Sequence, residues 1–301
     1  MVKTAAPRFI WMDGRLVKWE DAKVHVMTHA LHYGDAVFEG IRSYSAGKGA
    51  ALFRLDEHLE RLFYSAGSLH LNTKFTKEEL KNTIKKLVKA NKLMDCYVRP
   101  LIYRGYGSLG VYPNDAPANL VIIAVPWKKY YSNNLSVSTS AYSRYPENST
   151  VFGAKISGNY VNSILAMSEA RKNGYDEALM LDADGFVSEG PAENLFLVSK
   201  ESVITPNSRS ALHGITRKSL IRIAKDIGLE VCERSVKLSE VINADELFFC
   251  GTAIEIAPII SVNGKKIGNG KVGKITSKLR DNYYNIVRGK DKRYVKWLDY
   301  I

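Results

Sequence analysis

Pro126-Trp127-Lys128-Lys129-Tyr130-Tyr131-Ser132-Asn133-Asn134 interrupts a run of strand-like sequence with polar and turn-prone residues. This break reads as a linker over 126–137. It divides the 301 residues into domains at 1–125 and 138–301, each of ordinary domain size. Just before the break, 97–103 and 120–125 read as strands; just after it, 135–141 alternates as one. Strand-rich stretches alternate irregularly with helical ones on both sides. The absence of a regular βαβ rhythm points to two α+β domains rather than a doubly wound sheet.

Working outward, Phe9–Met12 and 15–19 flank Asp13-Gly14, the two-residue signal of a hairpin. A helix is expected from about Asp56, with Leu59, Leu62 and Phe63 on one face. A second follows Thr76, which forms a capping box with Glu79 and leads a stripe of Leu80, Ile84, Leu87 and Val88. Beyond the linker, 161–173 reads as a helix with Ile164, Leu165 and Ala170 inward, stopped at Gly174. Ala178 to Leu181 and Phe186 to Ser188 form a hairpin about Asp184-Gly185. Further strands are expected at 194–198 and 247–250. Helices are expected at 216–227, with Leu220, Ile223, Ala224 and Ile227 inward, and at 275–287.

The one unusual bulk property is charge: 43 Lys and Arg against 31 Asp and Glu give +12. Such a balance suits nucleic acid, acidic membranes or small anions. No stretch approaches the roughly 18 apolar residues of a membrane span, and 1–15 lacks the apolar core of a secretory signal. Cys96, Cys232 and Cys250 are scattered, without a C-x-x-C pair, which fits a reducing cytoplasm. Lys81, Lys85, Lys86 and Lys89 share one helix face without the interleaved aromatics or module of a nucleic-acid binder, and read as a solvated face.

Four places carry candidate chemistry. His25, His29 and His32 are spaced to share a helix face and could ligate zinc, but no Cys or carboxylate accompanies them, and backbone hydrogen bonding competes as their role. His213-Gly214-Ile215-Thr216 runs from a turn into a helix, whose free N–H groups can hold a phosphate; Thr216 could instead be a simple N-cap. Gly251-Thr252-Ala253 is a second small-residue turn with a hydroxyl. Lys155, in Phe152-Gly153-Ala154-Lys155-Ile156-Ser157-Gly158-Asn159-Tyr160, is either a surface lysine or a desolvated amine with nucleophilic character. Glu189, beside Gly190 at the end of a hairpin strand, is either an exposed turn acid or faces a site.

Taken in order, these pieces resemble the class IV, fold-type IV pyridoxal-phosphate aminotransferases, most closely the branched-chain amino acid branch. The shared segments are 23–34, 37–42, 57–62, 97–100, the Lys155 segment, 188–190, 212–217 and 251–253. The resemblance implies a D-amino acid aminotransferase-like fold: a small amino-terminal α/β domain and a larger carboxyl-terminal domain rich in strand, with pyridoxal 5'-phosphate at their interface. It implies that Lys155 holds the cofactor as a Schiff base and moves the substrate's α-proton. Glu189 would pair with the pyridine nitrogen, Tyr160 with the phenolic oxygen, and Leu212 with the ring face. Arg61, Ile215, Thr216 and Thr252 would hold the phosphate.

For the substrate, Phe38, Tyr130, Trp127 and Gly40 would line an apolar pocket, with Tyr33 entering from a partner subunit. Thr252 and Ala253 would bind the α-carboxylate, and Arg99 with Tyr33 the distal carboxylate of glutamate. The implied reaction exchanges an amino group between L-leucine, L-isoleucine or L-valine and 2-oxoglutarate, giving branched-chain 2-oxo acids and L-glutamate. No metal, nucleic acid or membrane partner is expected. The expected assembly is a cytoplasmic homo-oligomer built from dimers, with dimer or hexamer left open. D-amino acid aminotransferase and aminodeoxychorismate lyase are the rivals on this fold; Arg99, Tyr33 and 37–42 favour the L-branched-chain enzyme. Pro191 departs from the family's usual small residue and stiffens the turn after Glu189.

Overall fold

The computed structural model describes residues 6–127 and 134–301. Two compact units emerge: Met1–Tyr130 with Ala154–Asn159 and Asn285–Ile301, and Tyr131–Gly153 with Tyr160–Tyr284. A single cut within 126–137 therefore does not describe the chain. Two pieces expected in the second domain belong to the first unit, because both are hydrogen-bonded there.

The elements of the first unit are β1 (Phe9–Met12), β2 (Arg15–Lys18), α1 (His29–Tyr33), β3 (Ala36–Phe38), β4 (Ile41–Ala46), β5 (Gly49–Phe53), α2 (Leu55–Ser68), α3 (Lys77–Ala90), β6 (Cys96–Arg104) and β7 (Ala118–Pro126). The second contains β8 (Leu135–Thr139), α4 (Tyr160–Lys172), β9 (Glu177–Leu181), β10 (Val187–Glu189), β11 (Asn194–Ser199), β12 (Ser202–Pro206), α5 (Ile215–Asp226), β13 (Val231–Arg234), α6 (Leu238–Ile242), β14 (Glu246–Gly251), β15 (Glu255–Val262) and β16 (Lys265–Lys266). The boundary falls within α7 (Lys274–Val287), and β17 (Leu298–Tyr300) closes the chain.

In the first unit the sheet order is β17-β5-β4-β6-β7-β1-β2, with β3 also on β6. The β1–β2 hairpin turns on Asp13 and Gly14, both at positive φ, as the Asp-Gly pair requires. One sheet face packs Val37, Ile41, Leu52, Val98 and Ile122 against Leu59 and Leu62 of α2 and Leu80, Ile84, Leu87 and Val88 of α3. Both partners of the Thr76–Glu79 capping box are in place. Thr76→Ala removes the hydroxyl that accepts from the Glu79 N–H, and about 1 kcal/mol of stability should go with it. Denaturant unfolding checks this as a lowered midpoint at unchanged slope.

The carboxyl-terminal strand has no counterpart in the sequence reading. It pairs antiparallel with β5, Leu298 opposite Phe53. It also gives the lysine face of α3 a structural use: Lys81 reaches Asp56 and Asp299, both at 2.9 Å, and its hydrogen bond to Asp299 holds the amine above the ordinary lysine range. Lys86 and Lys89 stay exposed.

The second unit is a mixed sheet in the order β10-β9-β8-β15-β14-β11-β12-β13, with β16 on β15. Its core includes Leu179, Leu195, Leu197, Leu247, Phe249 and Ile259. Leu220, Ile223 and Ala224 of α5 are buried as expected, while Ile227 caps the helix half-buried. In α4, Ala170 is buried as expected, but Ile164 and Leu165 do not face inward. Ala166 and Ala170 pack on Ala178 and Met180, and Ile164 and Leu165 are 62% and 43% exposed. Small residues let this helix approach the sheet closely, which leaves its large apolar side chains outward.

Candidate active site

Lys155 is placed by backbone contacts within the first unit. Its carbonyl accepts from the Phe38 N–H at 3.2 Å, Ser157 N–H donates to Ala36, and Gly158 N–H donates to Gly34. The close approach needs glycine on both strands: a Cβ on Gly34 would lie 2.7 Å from the Gly158 Cα. From the other side, Lys155 N–H donates to Ser65 Oγ at 2.9 Å, and that hydroxyl donates to the Arg61 carbonyl at 2.8 Å. These contacts fix the Lys155 backbone between a strand-like segment and α2.

The surroundings of its amine are aromatic and cationic. Lys155 Nζ lies 4.9 Å from the Phe38 ring centroid, and the Arg99 guanidinium carbon lies 4.4 Å from the same centroid. Arg99 Nη2 donates to the Tyr97 hydroxyl at 3.0 Å, and Tyr97 stacks on Trp127 at 4.8 Å. Burial is the main cause that lowers the Lys155 amine to about 8; Arg61 and Arg99 push the same way, and Glu39 and Tyr97 oppose. Lys155 is half-buried with its amine over the Phe38 ring, unlike a fully solvated surface lysine.

Arg99 has no carboxylate partner among the described residues, and its buried Nε has no hydrogen-bond partner there. A guanidinium held between rings and lacking a counter-charge is poised for an external anion. Gly40 sits under the same cluster, where an added Cβ would meet the Tyr97 hydroxyl at 1.9 Å. Tyr33 is 44% exposed at the end of α1, its hydroxyl donating to the Leu109 carbonyl of its own chain. Tyr130 lies outside the described residues.

Arg61 joins this cluster but not alone. Its Nε and Nη2 donate to the two oxygens of Glu39, which is fully buried and also accepts from His58 Nδ1. Burial alone would raise the Glu39 carboxyl, yet Arg61 and His58 hold it far below the usual carboxylate range. The three early histidines resolve separately. His29 Nε2 pairs with the Gly110 carbonyl and His32 Nε2 with that of Val26, whereas His25 Nδ1 accepts from the Met27 N–H and lies before α1.

In the second unit Glu189 is 3% exposed and so is no turn acid at the surface. Arg144 Nη2 stands 2.8 Å from its Oε1, while Asn194 Nδ2 and the Leu212 N–H donate to its Oε2 at 3.1 and 3.0 Å. Such a set of donors stabilises the charged form. The two contacts on Oε2 tie β10 to the loop that carries Leu212. Arg144 was not singled out by sequence, because an arginine in an irregular loop carries no local signal.

The start of α5 also differs from one expectation. Gly214, not Thr216, is the N-cap and supplies no side-chain cap; Thr216 is buried one position inside the helix. A Cβ on Gly214 would lie 2.0 Å from Asn194 Oδ1, so the same asparagine that touches Glu189 fixes this turn. Arg217 anchors the helix from behind through Thr205, the Pro206 carbonyl and Glu233. Thr252 and Ala253 form the half-buried turn after β14, and Tyr160 is the first residue of α4.

A model of the family described as amino-transferase class IV matches residues 36–262. The chain belongs to the class IV aminotransferases, pyridoxal-phosphate-dependent transaminases of fold-type IV. Within that class it is similar to branched-chain-amino-acid aminotransferases. It is 39% identical to that of Pseudomonas aeruginosa over 293 residues, covering 96% of this chain and 95% of that one. It is 40% identical to that of Escherichia coli K12 over 300 residues, 97% of each. The crystal structure of the T.th. branched-chain amino acid aminotransferase complexed with N-(5'-phosphopyridoxyl)-L-glutamate matches with a TM-score of 0.94 and 42% identity, over 100% of this chain and 99% of that one.

The residues present fit the cofactor that this class requires. An amine at about 8 can be neutral near physiological pH, a helix start without a side-chain cap suits a phosphate, and a buried carboxylate paired with an arginine suits a protonated ring nitrogen.

Proposed function

We propose that this protein is a branched-chain amino acid aminotransferase exchanging an amino group between L-leucine, L-isoleucine or L-valine and 2-oxoglutarate. The observation that carries the reading is one ring shared by two groups: the Lys155 amine and the Arg99 guanidinium both stand over Phe38. An apolar aromatic wall suits a branched aliphatic side chain. A cation at the edge of that wall suits the second carboxylate of glutamate. The relatives' names and the glutamate-derived ligand of the T.th. structure support the same pairing.

Pyridoxal 5'-phosphate, when bound, supplies an electron sink for the carbanion left by loss of the α-proton. Lys155 is the residue that would hold it covalently. Its amine, freed when substrate binds and neutral in an appreciable fraction near pH 8, would then take the proton from the substrate Cα and deliver it to the cofactor carbon bonded to the substrate nitrogen. Glu189, paired with Arg144, would hold a proton on the ring nitrogen; Tyr160 would meet the phenolic oxygen and Leu212 the ring. Arg61, Ile215, Thr216 and Thr252 would hold the phosphate. Thr252 and Ala253 would bind the α-carboxylate, and Phe38, Trp127, Gly40 and Tyr130 would line the side-chain pocket.

We assign it to the cytoplasm, supported by three free thiols, two of them buried. Among the described residues no helix is long and apolar enough to cross a membrane. A homo-oligomer built from dimers, as dimer or hexamer, is the reading for the assembly. Its support is an apolar surface around α1 and the loop after β6, where Val26, Leu31, Tyr106, Leu109, Val111 and Tyr112 are all more than half exposed. Tyr33 borders that surface, consistent with its use by a second copy.

Arg99→Ala should raise KM for glutamate and 2-oxoglutarate by at least about tenfold while changing that for L-leucine less than about threefold, the asymmetry of losing one charge-assisted contact. Steady-state assays with L-Leu, L-Ile, L-Val, D-Ala and aromatic amino acids against 2-oxoglutarate read both the specificity and the variant. Equal losses for glutamate and leucine contradict the role of Arg99. Turnover of D-Ala without L-Leu contradicts the function.

A further inference from the structure

We propose that Glu39 is a positioning residue that orients Arg61 toward the cofactor phosphate. The proposal rests on the reading of Arg61 as a phosphate ligand. Phe38 ends β3, and Glu39 is the next residue along the chain. Phe38 faces Lys155 and Arg99, and Glu39 reaches the helix behind.

On α2, His58 and Arg61 are three residues apart and share the face that meets Glu39. The carboxylate accepts from His58 Nδ1 at 2.7 Å, Arg61 Nε at 2.5 Å, Arg61 Nη2 at 3.0 Å and the Gly40 N–H at 3.2 Å. Both oxygens are used, and the side chain is wholly excluded from solvent. A guanidinium gripped by two of its nitrogens has its plane and direction fixed. The same helix turn delivers Ser65, whose hydroxyl accepts from the Lys155 N–H and donates to the Arg61 carbonyl. Arg61 and Lys155 are therefore set by one framework with Glu39 at its base.

The charged and titratable groups acting on the Lys155 amine are Arg61, Glu39, Tyr97 and Arg99. Glu39 is the buried anion among them, next to Arg61 and His58, and burial pushes the His58 imidazole below its ordinary range despite the carboxylate beside it. Replacing Glu39 by a neutral isostere leaves two guanidiniums acting on the amine with one less negative charge to offset them. The amine then loses its proton at lower pH.

The test is a double-mutant cycle on apoenzyme, reading equilibrium binding of pyridoxal 5'-phosphate and of pyridoxal, which lacks the phosphate. Glu39→Gln should weaken pyridoxal 5'-phosphate at least about tenfold and pyridoxal, measured above pH 9, less than about threefold. Added to Arg61→Gln, it should cause no further loss. The pH midpoint for capture of pyridoxal, followed by the yellow colour, should fall by about one pH unit in Glu39→Gln and stay at the wild-type value in Glu39→Asp. Glu39→Asp should still weaken the phosphate form, since its carboxylate is one carbon short of Arg61; it serves if Glu39→Gln fails to fold.

Weakening by Arg61→Gln but not by either Glu39 variant overturns the proposal and leaves the reading of Arg61 intact. Weakening by neither residue overturns both. A loss from Glu39→Gln that is as large in the Arg61→Gln background marks a purely structural role and overturns the proposal as well.

Discussion

Lys155→Ala is expected to fold, to remain colourless with pyridoxal 5'-phosphate, and to transaminate at least about 10⁴-fold more slowly than wild type. Two losses combine in this one truncation. On the proposed reading the covalent point of attachment disappears, and with it the only amine among the groups described around Phe38 that could carry the substrate's α-proton. Arg99 and Arg61 cannot substitute, because a guanidinium does not deprotonate in this range. The fold should survive, since the backbone contacts of Lys155 to Phe38 and Ser65 do not involve its side chain. Removing a desolvated cationic group also removes a small cost to folding. Thermal unfolding checks stability, and a visible spectrum with steady-state kinetics checks the rest. A variant that stays yellow and active would reassign the amine.

Glu189→Gln should lower kcat by about 10²- to 10³-fold with a much smaller change in KM, because the proposed contact it removes would matter when negative charge develops on the cofactor ring. The native carboxylate has its two oxygens committed to Arg144, Asn194 and the Leu212 N–H. A glutamine keeps the size and one acceptor oxygen. It cannot keep a proton on a ring nitrogen by charge, and it leaves the Arg144 guanidinium without its counter-ion. Arg144 is half-buried, and its other terminal nitrogen donates to Ser163 at 3.1 Å, so it should stay in place and add to the penalty. Restoring an acid of different reach as Glu189→Asp should recover part of the loss. Equal kcat for Glu189→Gln and wild type would remove the electron-sink role from this residue.

Much of the candidate site was legible because its residues lie in short ordered motifs. Phe38, Arg61, Arg99 and Lys155 come from four separate segments, yet each segment carries its own spacing, and the structure brings all four into one unit. What escaped the sequence reading is what depends on long-range pairing. Arg144 gains its meaning only from a carboxylate 45 residues away that no local pattern connects to it. Glu39 was visible as a motif residue, but its grip on Arg61 depends on β3 packing against α2. The strand Leu298–Tyr300 sits in a basic tail whose local sequence looks solvated; its partner β5 lies some 250 residues earlier.

The error on α4 has a different origin. Helical periodicity finds an apolar stripe correctly but does not say what covers it. Ile164 and Leu165 form such a stripe, while Ala166 and Ala170 do the packing within the unit. The assignment of Thr216 shifted for a simpler reason. Gly214 can cap a helix without a side chain, and the tight approach of Asn194 leaves no room for one. The excess charge of +12 likewise divides once the fold is known: Lys81 serves the tail through Asp299, Arg217 anchors α5, and Arg99 has no carboxylate partner among the described residues.

The most direct test of the central claim is the visible spectrum of the cofactor-loaded protein during two successive additions. L-leucine alone should bleach the yellow band, and 2-oxoglutarate added next should restore it, each without the other substrate present in excess. D-alanine should leave the band unchanged. A band that ignores L-leucine and answers to D-alanine, or a protein that takes up no yellow colour at all, would contradict the account.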